Sequence, residues 1–443
     1  MLEFQKDFSA GEFASRRKRI VEAIGEGVAI VQGAPANGAF DRFRQTNEFY
    51  YLCGVEVPHA YLSIDGATGT SGLYLPRRDP QMERIEGRQW SCDDAEDLRA
   101  LTGVEAVRPL DGLIADIGQP RRIFACHSPA EGRQMCRDEL RHARALQAAD
   151  PIVGGDPPPE LALIAQFRAR WPGAQICDLS SVLDRLRTVK SPREVELMRR
   201  SGSLTAAAIA EAMRATVPGM YEYRLAALAD YRFAVEGAQG PGYRAIVAGG
   251  ENIWNAHYFR NNCRLKDGDL VLMDYAPDLG YYTSDIGRMW PVSGRYSPLQ
   301  RELYGFIVEY HKTLLRLIRP GALADQIHRE AAKQMTAVVE NTRWSKPSYE
   351  QAARNTLQFT GHLSHGVGMA VHDAGNYREE PLAPGIVFAL DPQMWVHEEQ
   401  LYIRVEDTVV VTESGVENLT AAAPVELDDV ESHMQAGAAA GPI

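Results

Sequence analysis

No stretch of this 443-residue sequence approaches the ~20 consecutive apolar residues of a membrane-spanning helix. The opening segment, MLEFQKDFSAGEFASRRKRI, holds no apolar core of signal-peptide length and no small-residue cleavage pattern. Cysteine is scarce. The six thiols (Cys53, Cys92, Cys126, Cys136, Cys177, Cys263) form no Cys-x-x-Cys pair and no zinc spacing. Such thiols, in a chain with no export segment, read as reduced and structural, and place the protein in the cytoplasm. Positive charge is also in deficit: 47 Lys and Arg stand against 59 Asp and Glu, a formal net charge of −12. Nucleic acid and anionic membranes both demand a basic footprint, so neither is expected as a partner. The carboxylate surplus leaves room for a cation site, and only position along the chain can locate one.

The length predicts two domains, because a single core rarely grows past ~250 residues. The first, residues 1–188, has an α/β pattern. Helices are expected near Ser15–Ile24, Ala95–Leu101, Ala130–Ala148 and Leu161–Arg170, with apolar runs at Gly27–Val31, Tyr61–Ile64, Leu73–Leu75 and Arg122–Cys126. The proline-rich stretch Asp150–Glu160 is expected to be a loop. In residues 189–422, Ser191-Pro192-Arg193-Glu194 is a helix start: Ser at the N-cap, Pro in the first turn, Glu three residues after Ser. Helices are predicted over Pro192–Val217, Tyr221–Gly237, Ser297–Ile318 and Ala322–Val339. Strand-like runs lie at Tyr243–Ala248, Leu270–Tyr275, Tyr281–Val292, Ile386–Leu390, Leu401–Asp407 and Val409–Thr412. Helix pairs alternating with hairpins make an α+β domain, and their recurrence suggests an internal duplication. Residues 423–443 read as a loose, flexible tail.

Four acids sit where strands should be apolar. Asp274 closes Leu270-Val271-Leu272-Met273, and Asp285 follows eleven residues later, past the turn material Asp278-Leu279-Gly280. A hairpin folded about Leu279–Gly280 sets the two carboxylates opposite each other, where they repel unless a cation lies between. Asp391 ends the run Ile386–Leu390. Glu406 shares a strand face with Arg404, opposite Leu401, Ile403 and Val405. Taken singly, each has an ordinary structural reading; together, four strand carboxylates need compensation. Histidines lie nearby: His257 ahead of the first acidic strand, and His365 and His372 in a glycine-containing segment. Carboxylates with one imidazole suit Mn²⁺ or Mg²⁺ and admit Zn²⁺, Co²⁺ or Fe²⁺.

The order Asp-x10-Asp, Ser-His-x6-His-Asp, acid-Pro after an apolar strand, then Arg-x-Glu-Asp resembles the aminopeptidase P/prolidase family of pita-bread-fold metallopeptidases. Flanking segments are similar too: Ile246–Asn252, Lys266–Val271, Ser284–Arg288, Lys190–Glu194, and, in the first domain, Phe43–Gly54 and Pro76–Pro80. The likeness spans about residues 40–415. It implies a creatinase-like N-terminal domain followed by a pita-bread catalytic domain with pseudo-twofold duplication. It also implies a Xaa-Pro peptidase, either dipeptidase or aminopeptidase, and a homodimer or homotetramer acting on small peptides. Two divalent ions, Mn²⁺ or else Co²⁺ or Zn²⁺, would be held by Asp274, Asp285, His365, Asp391 and Glu406. His257 and His372 would orient substrate and steady the tetrahedral intermediate, Asp391 would shuttle the proton, and Arg404 would support Glu406. Two departures stand out. The family has Glu-Pro-Gly where this chain has Asp391-Pro392-Gln393, and Asp is shorter by about 1.5 Å of reach. His362 is displaced by one position, which turns it to the other face. The same fold also admits phosphoester or organophosphorus hydrolysis, and a metal-free, creatinase-like chemistry.

Overall fold

The structure, a computed structural model, describes residues 3–38, 40–128, 137–152, 154–375 and 377–438. It divides into two units, Met1–Arg187 and Thr188–Ile443.

The first unit is built on a six-stranded mixed sheet: β1 (Val28–Gln32), β2 (Tyr61–Asp65), β3 (Ser71–Leu75), β4 (Ala106–Pro109), β5 (Arg122–Ala125) and β6 (Gln175–Asp178), in the order β4-β3-β2-β1-β5-β6. Antiparallel pairing joins β1 to β2 and β2 to β3, while the outer pairs run parallel. The four apolar runs of the sequence became β1, β2, β3 and β5. The two remaining strands are short and only partly buried, so they carry no apolar run. Of the helix expected at Ala130–Ala148, Arg137–Ala148 is helical and residues 130–136 lie outside the described ones.

The second unit carries an antiparallel sheet, β10-β13-β9-β8-β7, with a short strand added to β13. Its strands are β7 (Ile246–Gly249), β8 (Leu270–Asp274), β9 (Ile286–Pro291), β10 (Val387–Leu390), β11 (Gln393–Val396), β12 (Leu401–Arg404), β13 (Glu406–Val411) and β14 (Val416–Asn418). Helices Pro192–Ala215 and Glu222–Val235 precede β7–β9; Pro298–Leu317 and Ala324–Asn341 precede β10–β13. Ser191 accepts the Glu194 N–H, and the Glu194 side chain returns to the Ser191 N–H, the capping box that the sequence announced.

Four expectations require correction. First, the run Leu401–Asp407 is not one strand: β12 pairs with β11, and the chain then enters β13, which pairs with β9 and β10. Arg404 and Glu406 lie on either side of this change of partner, and both are buried. Second, a helix at Pro347–Gln358 was missed, because PSYEQAARNTLQ has few apolar residues to mark a face. Third, the segment read as a loose tail holds a helix, Leu427–Ala438, whose Val430 and Met434 are buried in the unit's core. The fourth concerns the metal hairpin. Leu279 and Tyr282 exchange backbone hydrogen bonds of 2.8 and 3.1 Å, so Gly280–Tyr281 is the two-residue loop. Both residues have positive φ, 59° and 73°, as a type I′ turn requires. Asp274 consequently faces Gly287 and not Asp285. A turn displaced by one residue shifts the register by two, so Asp285 keeps the face of Asp274 and lies diagonal to it.

Candidate metal centre

Sheet register and one loop bring the acids together. Asp274 ends β8, Asp285 leads into β9, Glu406 opens β13, and all three are at most 4% exposed. Glu406 is the register partner of Gly287, two residues along from Asp285 and on the same strand face. A Cβ on Gly287 would lie 3.1 Å from both Arg404 Nε and Glu406 Cβ, so the glycine leaves the acids room. Thr408 clamps the Asp285 backbone, accepting its N–H at 2.6 Å and donating to its carbonyl at 2.8 Å. His365 comes from the segment running beside β10: its carbonyl accepts the Ala389 N–H at 2.9 Å. Asp391 follows β10 directly.

His365 Nε2 lies 3.4 Å from Asp285 Oδ2 and 3.8 Å from Glu406 Oε1. One ligand atom from each of Asp285, His365 and Glu406 falls within 4.8 Å of the others. His365 Nδ1 sits 3.2 Å from the Gly366 carbonyl, so a proton there leaves the Nε2 lone pair facing the acids. Burial lowers the imidazole to about 4, which keeps it neutral near pH 7. Burial, then the adjacent Asp274 charge, pushes Asp285 well above the usual carboxylate range.

Arg404 ties the remaining acids in. Its Nε donates to Asp391 Oδ1 at 3.0 Å, Nη1 to Asp274 Oδ2 at 3.0 Å, and Nη2 to Glu406 Oε2. The Tyr243 hydroxyl lies 2.7 Å from Asp274 Oδ1 and 2.9 Å from Asp285 Oδ1; with one proton, it serves one of them at a time. Glu406 Oε1, buried, has no hydrogen-bond partner among the described residues. Four carboxylates around one guanidinium leave the centre short of positive charge, and a buried carboxylate oxygen without a donor is costly. Hard oxygen donors with a neutral imidazole fit divalent cations, and the unpartnered Glu406 oxygen points to the same need.

The other histidines gather at this edge. The His372 ring lies 3.8 Å from that of His365, and His257 lies 6.1 Å from His372. His362 packs edge-on against Phe359, in a cavity of about 470 Å³ that also touches Asp391, Gln393 and Trp395. Sequence reasoning missed Tyr243 and the ion pair of Lys190 with Asp373, 3.3 Å apart with both side chains at most 2% exposed. Their separation along the chain hides them: only the adjacency of Asp373 to His372 hinted at a role.

Residues 196–413 match metallopeptidase family M24, and residues 13–123 match the aminopeptidase P N-terminal domain. The chain is 31% identical to a Xaa-Pro aminopeptidase of Escherichia coli, over 97% of this chain and 99% of that protein. It is 31% identical to Xaa-Pro aminopeptidase 3 of Mus musculus, over 88% of this chain and 76% of that one. Among solved structures, aminopeptidase P from E. coli with the inhibitor Pro-Leu superposes with a TM-score of 0.79 at 29% identity, covering 98% of this chain and 100% of that chain. Aminopeptidase PepP of Pseudomonas aeruginosa gives a TM-score of 0.79 at 26% identity, covering 98% and 99%. No helix among the described residues is long and apolar enough to cross a membrane.

Proposed function

Because the chain belongs to metallopeptidase family M24, we propose that its acidic centre is a two-cation site hydrolysing the Xaa-Pro bond of dipeptides or of longer peptides at their N-terminus. The observation that carries this reading is the meeting of Asp285, Glu406 and neutral His365, with a Glu406 oxygen that no donor among the described residues satisfies. The names of the relatives support the substrate class, as does the Pro-Leu inhibitor in a solved neighbour.

Asp274, Asp285, His365, Asp391 and Glu406 would hold the two ions. When bound, the ions would supply an activated water at neutral pH and polarise the scissile carbonyl. The chain's own residues do the rest. Asp391 takes the proton released by the attacking water and returns it to the leaving imino nitrogen. His372 and His257, at the edge of the centre, donate to the oxygen that gains charge in the transition state. The leaving nitrogen belongs to a tertiary amide without an N–H, so recognition rests on ring shape and on the trans isomer. Trp395, stacked on Tyr402 at 4.1 Å, is the nearest flat apolar wall to Asp391 along β11. Arg404 holds three of the carboxylates and so fixes their spacing.

The ions are taken to be Mn²⁺, with Co²⁺ or Zn²⁺ as substitutes, and the working form a cytoplasmic homodimer or homotetramer. Purified protein should carry about two divalent ions per chain and release proline or a proline-led peptide. Asp285→Asn removes a ligand charge and should lower cleavage by about 10²–10⁴-fold, the weight of single catalytic groups. Unchanged turnover in that variant, measured on Xaa-Pro dipeptides and longer Xaa-Pro peptides with each metal, overturns the reading. Turnover of phosphoesters in place of peptides would assign the centre to the other chemistry.

A further inference from the structure

Besides Arg404, a second side chain touches Asp391. Gln393 opens β11 two residues after Asp391, and residues two apart on extended chain face the same way. Across the β11–β12 hairpin, Gln393 is the register partner of Arg404. The Gln393 amide donates to Asp391 Oδ2, and Arg404 Nε donates to Oδ1 at 3.0 Å. Each oxygen of this carboxylate therefore has its own donor, and the two donors come from facing positions of one hairpin. Pro392, between acid and amide, fixes φ and makes the spacer stiff.

Arg404 cannot set Asp391 alone. Its other two donor nitrogens are committed to Asp274 and Glu406, which leaves Nε for a single oxygen of Asp391. One donor lets a carboxylate swing about that contact; two donors on different oxygens fix its plane. A one-methylene side chain also reaches less far than a glutamate would. A glutamate at 391 would carry its carboxylate one methylene beyond the position at which the Gln393 amide and Arg404 Nε meet it.

We infer that Gln393 is a positioning residue for Asp391: with Arg404, it locks the short carboxylate so that its oxygens face the cation site. The inference rests on the two-cation reading. Gln393 is exposed, so its replacement tests position more than folding.

The test is calorimetric addition of Mn²⁺ to the full-length apo chain, with thermal denaturation as a control. Gln393→Leu keeps the volume and removes the amide. It should weaken one of the two ions by about 10- to 100-fold, the range for lost supporting contacts to a ligand, and leave the other ion and the melting temperature unchanged. Asp391→Glu alone should also lose affinity, because the longer side chain meets the amide. The double variant Asp391→Glu/Gln393→Gly should recover most of it. Equal Mn²⁺ affinities in wild type and Gln393→Leu overturn the inference, as do additive losses in the double variant. A wild-type chain that takes up fewer than two ions overturns the two-cation reading itself, and the role of Gln393 with it.

Discussion

Single residues at this centre are governed by charge in a dry setting, and the clearest case is Asp407, beside Glu406. Burial alone would raise its carboxyl. Arg288 Nη2, donating at 2.6 Å, and His311, with Nε2 3.2 Å away, outweigh that and hold it well below the usual carboxylate range. A carboxyl depressed in the fold stabilises it at every pH above its unfolded pKa of ~3.9, and that stabilisation is lost as pH falls below it. Asp407→Asn should therefore destabilise the protein by about 3–5 kcal/mol at pH 7, since it strands the buried Arg288, and should flatten the acid limb of a stability-versus-pH curve measured by urea unfolding. Asp407 was not marked as structural by the sequence, although Glu406 beside it was singled out. The difference is physical. An acid closing an apolar run, as Asp274 and Asp391 do, is anomalous on its face, whereas the partner of Asp407 lies 119 residues away. Arg16 and Arg17 were hidden in the same way: both look like surface charges, yet both are buried and donate to carbonyls of Tyr51, Leu52, Thr102 and Gly103.

Elements were legible where burial and period agreed. β1, β5, β8 and β10 follow apolar runs, and the long helices announce themselves by Ser-Pro caps. The Leu401–Asp407 run was misread because the alternation of Leu401, Ile403 and Val405 with Arg404 and Glu406 continues unbroken across the change of strand partner, although both faces of β12 and β13 are largely buried. The segment Ser364–Asp373 has no strand or helix of its own and depends on contacts. The Lys190–Asp373 pair pins its far end, and Gly368 is needed there, since a Cβ would lie 2.1 Å from Asp373 Oδ2. His372 is the neighbour of that anchor. Lys190→Ala should cost about 3–5 kcal/mol by removing one partner of a buried ion pair. Because the anchor also aims His372, kcat for Xaa-Pro cleavage should fall more than KM rises. A variant with lowered stability and unchanged kcat would confine the pair to a structural role.

At the scale of the molecule, the α+β architecture and the order of the two kinds of domain could be read from the sequence, because each kind carries its own spacing of helices and strands. The end of the chain could not. Its Ala, Gly and acidic residues resemble a solvated tail, but Val430 and Met434 occupy one helical face, four residues apart, and both are buried. His433 Nε2 lies 2.9 Å from the Ala210 carbonyl, within the helix Pro192–Ala215. Two buried side chains of this size are worth about 3–6 kcal/mol together. A chain ending at Glu426 should melt several degrees lower in differential scanning calorimetry, while its turnover of Xaa-Pro peptides should be unaltered.

The Gly280–Tyr281 turn has a final consequence, for how this hairpin tolerates change in length. The Leu279–Tyr282 bridge and the Asp274–Gly287 pair keep one and the same register. Side chains on a strand alternate, so one added residue on either arm would send Asp274 or Asp285 to the opposite surface, while two would return it. Length in this ribbon is thus quantised: insertions of even number conserve the pairing of the two carboxylates, and odd ones break it.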